Sequence, residues 1–351
     1  MTGSPEVSID IVNVAVIAPI LGSDLSFVTD VDPRVRALDA NAFASPRRGD
    51  AAPARVAPPP EELDAILAAA DVVLVGYPVP SPLAARAPRL VWAHHTQAGV
   101  SNLMGTDLWT SGLTLTSSRG AVAATAIAEY ALAGAAPFAR GLHEAARQKQ
   151  AGEFSRAGYR MLTLRGATMG IIGLGGIGQE VARLSRAVGM KVIATRRSVT
   201  STQNDVDGAD LLFPADQLLE VAAQSDFLAI CSQLTAETRG MIGRSVFAAM
   251  KPGAVLINVA RGEEVDQEAL IAAITRGQLA GAVLDVYDGE LAGRPPPSEL
   301  LELPQILLTP HISNGGDRAM AEPIRQLFAT NLRRFLDGRP LLNVVDRDRG
   351  Y

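Results

Sequence analysis

The sequence has a single cysteine, four histidines and few aromatic residues (5%). The lone thiol, Cys231, cannot form an intrachain disulfide, so we expect a reducing compartment, the cytoplasm. Without a CxxC pair and with so few histidines, no metal site is predicted. Because aromatic volume is scarce, Ala, Val, Leu and Ile must build most of the core.

The chain also has fewer basic than acidic residues. The formal net charge is −5, whereas a nucleic-acid surface usually needs a basic face. Met1 to Asp10 holds no Lys or Arg, unlike a secretory signal. One apolar stretch, Gly120 to Ala139, is about long enough to span a bilayer, but Glu129 and Pro137 interrupt it. We therefore predict a helix packed inside the protein, and binding to neither nucleic acid nor membrane.

Short apolar runs alternate with helix-length segments along most of the chain, and its 351 residues suggest about two domains. This alternation is typical of α/β domains with mainly parallel sheets. The polar stretch Ser45 to Pro60 is predicted to be a surface loop. The strands predicted in the first part are Val12 to Ala18, Asp71 to Gly76, Leu90 to Ala93 and Leu113 to Thr116. Those predicted in the second part are Met169 to Gly173, Lys191 to Thr195, Phe227 to Cys231, Ala254 to Val259, Gly281 to Val286 and Ile306 to Thr309.

The run Gly173-Leu174-Gly175-Gly176-Ile177-Gly178 satisfies G-x-G-x-x-G between a predicted strand and a predicted helix, Gln179 to Val188. In such a turn the first glycine permits the bend, the second lets a pyrophosphate approach the backbone, and the third allows close packing. The helix N-terminus adds N–H donors and partial positive charge. The motif predicts a doubly wound domain that binds a dinucleotide; the alternative is an empty Rossmann-like domain.

The next predicted strand ends in Thr195, Arg196 and Arg197. NAD enzymes usually place Asp or Glu here to hold the ribose 2′-hydroxyl, whereas guanidinium groups can bind a 2′-phosphate. We therefore favour NADP over NAD and assign these three residues to the cofactor site. The alternative is that both arginines are solvated surface cations.

Arg261, Glu290 and His311 each follow a later predicted strand, so we expect them at the carboxyl edge of one sheet. Arg261 can bind a carboxylate or polarise a 2-oxo group, and His311 can donate a proton to the alkoxide that forms. Glu290 can orient the imidazole and keep it protonated. Asp288 is a competing candidate for Glu290 that only geometry can exclude.

With these residues the sequence resembles the D-isomer-specific 2-hydroxyacid dehydrogenase family. The resemblance runs from about Leu164 to Gly316, through LRGATMGIIGLGGIG, TAETRGMIG, MKPGAVLINVARGEEVD and LLTPHIS. It departs from the family at Leu291 and at Cys231 to Gln233, where proline is common, and at Ser101, where an acid is common. These departures suggest an unusual substrate or adenine pocket.

The resemblance implies several further assignments. Arg261, Glu290 and His311 correspond to the catalytic triad, and the weaker motif Gln97-Ala98-Gly99-Val100 to the loop that binds the substrate carboxylate. It also implies a Rossmann cofactor domain at 120–316, a smaller flavodoxin-like α/β substrate domain split between 1–119 and 317–351, and a homodimer formed largely through the cofactor domains. The residues assigned to the cofactor are Gly173, Gly175, Gly176, Ile177, Gly178, Thr195, Arg196, Arg197, Ser232, Gln233, Thr238, Ala260 and Asp285, the last holding the nicotinamide carboxamide.

The sequence therefore predicts hydride transfer between NADPH or NADH and C2 of a small 2-oxo or 2-hydroxy acid, D-specific by resemblance. Two alternatives stay open: the same fold and triad acting on another small oxyanion such as phosphite, or a non-enzymatic protein that senses NAD(H). The sequence does not indicate which acid is used or in which direction. His94, His95, Tyr77 and Arg119 lie where they could face a pocket or serve only structure.

Overall fold

The computed structural model describes residues 11–44, 61–121, 124–315 and 320–350. The predictions for Met1 to Asp10 and for the loop Ser45 to Pro60 lie outside these ranges. The chain divides into two compact units, Met1–Val122 with Arg318–Tyr351, and Ala123–Asp317. Each unit has its own sheet and its own hydrophobic core.

The strands are β1 (Val12–Ile17), β2 (Val35–Asp39), β3 (Val72–Val75), β4 (Trp92–His95), β5 (Thr114–Ser117), β6 (Thr168–Ile172), β7 (Lys191–Arg196), β8 (Gln203–Val206), β9 (Ala209–Pro214), β10 (Phe227–Ile230), β11 (Ala254–Asn258), β12 (Leu279–Leu284) and β13 (Ile306–Leu308). The helices are α1 (Ser26–Thr29), α2 (Glu61–Ala69), α3 (Asp107–Thr110), α4 (Ala124–Ala139), α5 (Leu142–Gln150), α6 (Gly176–Ala187), α7 (Leu218–Gln224), α8 (Arg244–Ala249), α9 (Gln267–Thr275), α10 (Ser298–Glu302) and α11 (Ala321–Leu336).

The first unit has a parallel sheet in the order β2-β1-β3-β4-β5. This is the flavodoxin-like order, which confirms the predicted fold class. The carboxyl-terminal helix α11 covers one face of this sheet with Ile324, Phe328 and Leu332. The Phe328 ring stacks on Trp92 of β4 with ring centroids 5.3 Å apart.

The second unit has a sheet in the order β13-β12-β11-β10-β6-β7-β9-β8, parallel except for the β8–β9 pair. The strand order reverses between β6 and β10, as in the predicted Rossmann fold, which is confirmed. Helices α4 and α6 pack in the core of one face, and α8 and α9 in that of the other. In this topology, ligands bind outside the carboxyl ends of the strands on either side of the reversal.

The central strands are recognisable in the sequence because parallel sheets covered on both faces need continuous apolar runs. Every residue of β6 and β10 is buried, for example. The predicted strand Leu90 to Ala93 lies two residues later, at Trp92–His95. In the described part of the chain, no helix is long and apolar enough to cross a membrane.

Candidate active site

The glycine-rich turn joins β6 to α6. Gly173 has φ +95°, a left-handed conformation that L side chains rarely adopt, and its N–H donates to Thr195 Oγ1 at 3.3 Å. A Cβ added to Gly178 would stand 2.3 Å from the Gly173 carbonyl oxygen, so helix and turn pack too closely for any side chain here. These contacts give the first and third glycines the local roles that the motif predicts.

The middle of the turn is open. A Cβ added to Gly175 or Gly176 would meet no atom within 4 Å. Helix α6 begins at Gly176, and the N–H groups of a first helical turn, which here includes Ile177, have no partner inside the helix. An open backbone beside a helix N-terminus suits a pyrophosphate group, so these residues fit a dinucleotide.

Arg196, at the end of β7, is held beside this turn. Its Nε and Nη2 atoms donate to the Leu174 carbonyl oxygen at 2.9 and 2.8 Å, and Nη2 also pairs with Asp207 Oδ2 at 2.5 Å. Asp207 lies between β8 and β9. Arg197, which directly follows Arg196, is exposed. The structure therefore brings a carboxylate to Arg196 that the sequence analysis missed.

The segment after β10 runs past the glycine-rich turn. A Cβ added to Gly173 would be 2.9 Å from both the N and Cα atoms of Ser232. Farther on, Thr238 Oγ1 donates to the Gln233 carbonyl oxygen at 2.7 Å and accepts from the Thr235 N–H at 2.8 Å. Ser232 thus lies beside the predicted cofactor site, while the Thr238 hydroxyl holds its own loop together.

Glu290 and His311 form a pair. The imidazole Nδ1 lies 2.8 Å from Glu290 Oε1. The side chain of His311 is 34% exposed and that of Glu290 is 10% exposed. With Nδ1–H donating to the carboxylate, Nε2 is the ring nitrogen left to exchange a proton with a ligand. Asp288 is exposed and pairs instead with Arg294 at 3.4 Å. The geometry thus favours Glu290 over Asp288 as the partner of the imidazole.

Asp285 organises the loop that carries His311. Its Oδ1 atom accepts from the Thr309 hydroxyl at 2.7 Å and from the Ile312 N–H at 2.8 Å, and Oδ2 accepts from the Ser313 N–H at 2.9 Å. The His311 N–H donates to the Asp285 carbonyl oxygen at 3.0 Å. Three protein donors therefore already engage the carboxylate to which the family resemblance assigns the nicotinamide carboxamide.

Two further side chains, both missed from the sequence, support these loops. Tyr130 of α4 donates its hydroxyl to Thr309 Oγ1 at 2.5 Å. Asn258, at the end of β11, accepts from the Ala260 N–H at 3.0 Å and donates to the Arg261 carbonyl oxygen at 2.9 Å. Arg261 Nη1 in turn donates to the Ala260 carbonyl oxygen at 2.7 Å. Hydrogen bonds within this loop therefore fix the backbone that carries Arg261.

The loop of Arg261 and the loop of Glu290 meet at Gly262. A Cβ added there would stand 1.9 Å from the Tyr287 carbonyl carbon and 2.3 Å from the Asp288 backbone nitrogen. These loops follow adjacent strands, β11 and β12, and backbone touches backbone. The structure therefore groups Arg261, Glu290 and His311 on loops at the carboxyl ends of β11, β12 and β13.

The predicted substrate loop, Gln97 to Val100, belongs to the first unit and follows β4. Gln97 Oε1 accepts from Asn102 Nδ2 at 3.3 Å, and its carbonyl oxygen accepts from the Ser118 N–H at 3.0 Å. Val100 is buried in the core, whereas Ala98 and Gly99 are half-buried. The loop thus leaves part of its backbone accessible.

The two histidines before this loop are buried in the first unit. His94 contacts Thr116 Oγ1 through Nδ1 at 2.7 Å and Ser118 Oγ through Nε2 at 3.0 Å. Burial, with a smaller effect of His95, lowers the pKa of His94 to about 3, so its imidazole stays neutral. His95 Nδ1 lies 3.2 Å from the Val75 carbonyl oxygen. These contacts favour the structural alternative for both histidines.

The other two uncertain residues also lie in the first unit. Tyr77 is half-buried after β3, and Arg119 is exposed after β5. The Arg119 carbonyl oxygen accepts from Asn343 Nδ2 at 2.6 Å. Neither position indicates a catalytic role.

Comparisons with known proteins agree with this architecture. Residues 132–313 match the family described as D-isomer specific 2-hydroxyacid dehydrogenase, NAD binding domain. The chain is 34% identical to the glyoxylate reductase of Thermococcus litoralis over 294 residues, which cover 82% of this chain and 85% of the reductase.

Solved structures are similar along nearly the whole chain. A D-isomer-specific 2-hydroxyacid dehydrogenase of Xanthobacter autotrophicus Py2, in complex with NADPH and MES, is 25% identical with a TM-score of 0.74, over 97% of this chain and 100% of the other. A protein of the same family from Aeromonas salmonicida is 27% identical with a TM-score of 0.75, over 96% and 99%.

Proposed function

Because this chain belongs to the D-isomer-specific 2-hydroxyacid dehydrogenase family, we propose that it moves a hydride between a nicotinamide cofactor and C2 of a small 2-oxo or 2-hydroxy acid. The observation that carries the proposal is the pair of His311 Nδ1 and Glu290 Oε1, 2.8 Å apart, on loops beside that of Arg261. This arrangement supplies a proton donor and an anion-binding cation at the same sheet edge.

The second unit would hold the cofactor. The open backbone at Gly175 and Gly176 and the first turn of α6 suit the pyrophosphate, and Ser232 lies beside the same turn. When bound, the nicotinamide supplies or accepts the hydride. The protein's part is to bind and orient both reactants and to manage the proton.

The proton passes through His311 Nε2. In the reductive direction the imidazolium donates from Nε2 to the alkoxide oxygen as the hydride arrives at C2. The Glu290 carboxylate stabilises the imidazolium and fixes the ring, because it accepts from Nδ1–H. In the oxidative direction the neutral imidazole removes the hydroxyl proton at the same nitrogen.

The substrate is an anion held by Arg261. Its guanidinium can bind the carboxylate through two parallel hydrogen bonds or polarise the 2-oxo group. In the first unit, the family resemblance assigns carboxylate binding to the loop Gln97 to Val100, where Gly99 is half-buried and leaves backbone accessible. Relatives named glyoxylate reductase make glyoxylate the first acid to test.

Turnover on a panel of acids tests the proposal. We expect at least one of glyoxylate, pyruvate and hydroxypyruvate to oxidise NADPH or NADH, measured as a loss of cofactor fluorescence. Reduction of NADP+ or NAD+ by another oxyanion such as phosphite, with no turnover on any acid, would favour that alternative. Tight cofactor binding without turnover on any acid or oxyanion would favour the NAD(H) sensor.

We propose that NADPH is preferred over NADH, because Arg196 and Arg197 can bind a 2′-phosphate. Replacing Arg196 with Gln should weaken NADPH binding by about 10- to 100-fold, the size of a lost charge-assisted contact, and NADH binding much less. Replacing Asp207 with Asn should instead strengthen NADPH binding, because the carboxylate paired with Arg196 repels the 2′-phosphate. Fluorescence titration measures the dissociation constants of NADPH and NADH for all three proteins; tighter binding of NADH by the unmodified protein would refute the preference.

We also propose that the protein forms a homodimer through the second unit. The segment after α4 exposes Leu142, Phe154 and Met161, although the Leu162 N–H anchors it to the Ala139 carbonyl oxygen at 2.8 Å. A fixed apolar surface of this kind is typical of an interface.

Sedimentation velocity tests the dimer. We expect twice the mass of one chain, and monomer for Phe154→Asp, which places a charge in the apolar surface. The matched control is Leu301→Asp on α10, which changes another exposed leucine and should stay dimeric. A monomeric unmodified protein would contradict the proposal. The predicted cytoplasmic location stays a separate proposal, which fractionation of the source cells would test.

A further inference from the structure

Glu264 is a buried carboxyl group that the proposed acid–base chemistry does not use. It ends a 3-10 helix, Gly262–Glu264, that begins directly after Arg261, and its side chain is fully buried. Oε2 accepts a hydrogen bond from the Ser232 hydroxyl, whereas Oε1 has no hydrogen-bond partner among the described residues. An incompletely satisfied buried carboxyl lowers stability, and such groups are concentrated at functional sites.

The contact with Ser232 joins two parts of the site. Ser232 lies against Gly173 of the glycine-rich turn, so it stands beside the predicted pyrophosphate position. Glu264 comes three residues after the proposed substrate-binding Arg261. The carboxyl group therefore connects the segment that flanks the cofactor with the loop that presents Arg261 to the substrate.

The surroundings of Glu264 let its charge change near neutral pH. Burial raises the pKa of Glu264 to about 7, and the nearby Glu263 carboxylate also raises it. The Ser232 hydrogen bond and the positive charge of Arg261 oppose this rise. Cys231, on the segment after β10, adds no charge, because burial and then the Glu264 carboxylate raise the pKa of the thiol to about 12.

We propose that Glu264 is a positioning residue for Arg261: it ties the Arg261 loop to Ser232, and its negative charge, when present, weakens the binding of an anionic substrate. This inference rests on the proposed function, in which Arg261 binds the substrate carboxylate. An ionised Glu264 attracts the guanidinium and repels the carboxylate, whereas the neutral acid leaves the full charge of Arg261 to the substrate. Proton binding to Glu264 and substrate binding therefore favour each other.

The pH dependence of KM tests this coupling. For glyoxylate we expect KM to rise by about three- to tenfold between about pH 6 and pH 9, as expected for two charges that interact through a partly screened medium. In Glu264→Gln, which resembles the neutral acid, KM should stay low over this range. The two proteins differ only at Glu264, so the difference between their KM profiles isolates this carboxyl group.

Two further variants separate this role from a purely structural one. Ser232→Ala removes a hydrogen bond that lowers the pKa of Glu264, so the rise in KM should move to higher pH. Glu263→Gln is the matched control, because this neighbouring carboxyl group is partly exposed. This variant should retain the rise in KM, moved slightly to lower pH because Glu263 raises the pKa of Glu264. Equal pH dependence of KM in the unmodified protein and Glu264→Gln would overturn the proposal.

A binding measurement distinguishes failure of this inference from failure of the proposed function. Oxamate resembles a 2-oxo acid but cannot be reduced, so its affinity for the protein saturated with NADPH needs no turnover. We expect tighter binding of oxamate at acid pH in the unmodified protein and a weaker pH dependence in Glu264→Gln. If no acid is turned over but this difference is found, only the proposed function fails. Equal profiles, or no binding of oxamate at any pH, would overturn the role of Glu264.

Discussion

Replacing His311 with Gln is expected to lower kcat by about 10²- to 10⁴-fold, the usual contribution of a general acid–base group. Glutamine cannot become a cation or donate a proton to the alkoxide. Binding of NADPH should change little, because the glycine-rich turn and Arg196 lie in other parts of the second unit, after β6 and at the end of β7. Stopped-flow measurement of cofactor oxidation gives kcat, and fluorescence titration gives the affinity.

Glu290, the partner of His311, has a matched control in the nearby Asp288. Replacing Glu290 with Gln should lower kcat by about 10- to 100-fold, because the imidazolium loses a charge-assisted hydrogen bond. Replacing Asp288 with Asn alters an exposed carboxyl group that pairs with Arg294, so kcat should stay close to that of the unmodified protein. Turnover by His311→Gln at the unmodified rate, or a larger loss for Asp288→Asn than for Glu290→Gln, would show that the acid–base assignment is wrong.

Replacing Gly262 with Ala is expected to lower kcat/KM by about 100-fold or more, although no catalytic side chain is changed. The new methyl group would stand 1.9 Å from the Tyr287 carbonyl carbon, so the loops of Arg261 and Glu290 must separate. Backbone cannot rotate away as a side chain can, and a displacement of about 1 Å at a reacting group can cost about 100-fold.

Gly243→Ala provides the control for Gly262→Ala. Its new methyl group would lie 3.5 Å or more from the nearest atoms, an ordinary contact, and the backbone there has φ −117°. We expect this variant to keep nearly full kcat/KM. Near-normal kcat/KM in Gly262→Ala, with an unchanged melting temperature, would mean that the contact between the two loops does not position the site.

The sequence predicted the central strands well because their signal is local. Strands such as β6 and β10 are short apolar runs, each followed by a turn, and both are covered on two faces. The edge strand β8 (Gln203–Val206) has the sequence QNDV and, among the strands that the structure describes, pairs with β9 alone, through its backbone. A strand with almost no apolar side chains leaves no periodic signal, so it was missed.

The site was predicted only in part, for a related reason. Arg261, Glu290 and His311 follow predicted strands, so the sheet topology brings their loops together. Tyr130 reaches Thr309 across 179 positions, and Ser232 reaches Glu264 across 32. No local pattern encodes such contacts. The ion pair of Arg196 with Asp207 belongs to the same class, because it depends on the unpredicted strand β8 and the turn that follows it.

Deuterium transfer tests the central claim most directly. The unmodified protein would be incubated with NADPH or NADH that carries deuterium at both C4 positions and with the 2-oxo acid that it turns over fastest, and the product analysed by mass spectrometry and chiral chromatography. We predict one deuterium at C2 of the 2-hydroxy acid, with D configuration when pyruvate or hydroxypyruvate is the substrate, formed at a rate that falls sharply in His311→Gln. Cofactor oxidation without deuterium at C2, or equal transfer in both proteins, would contradict the account.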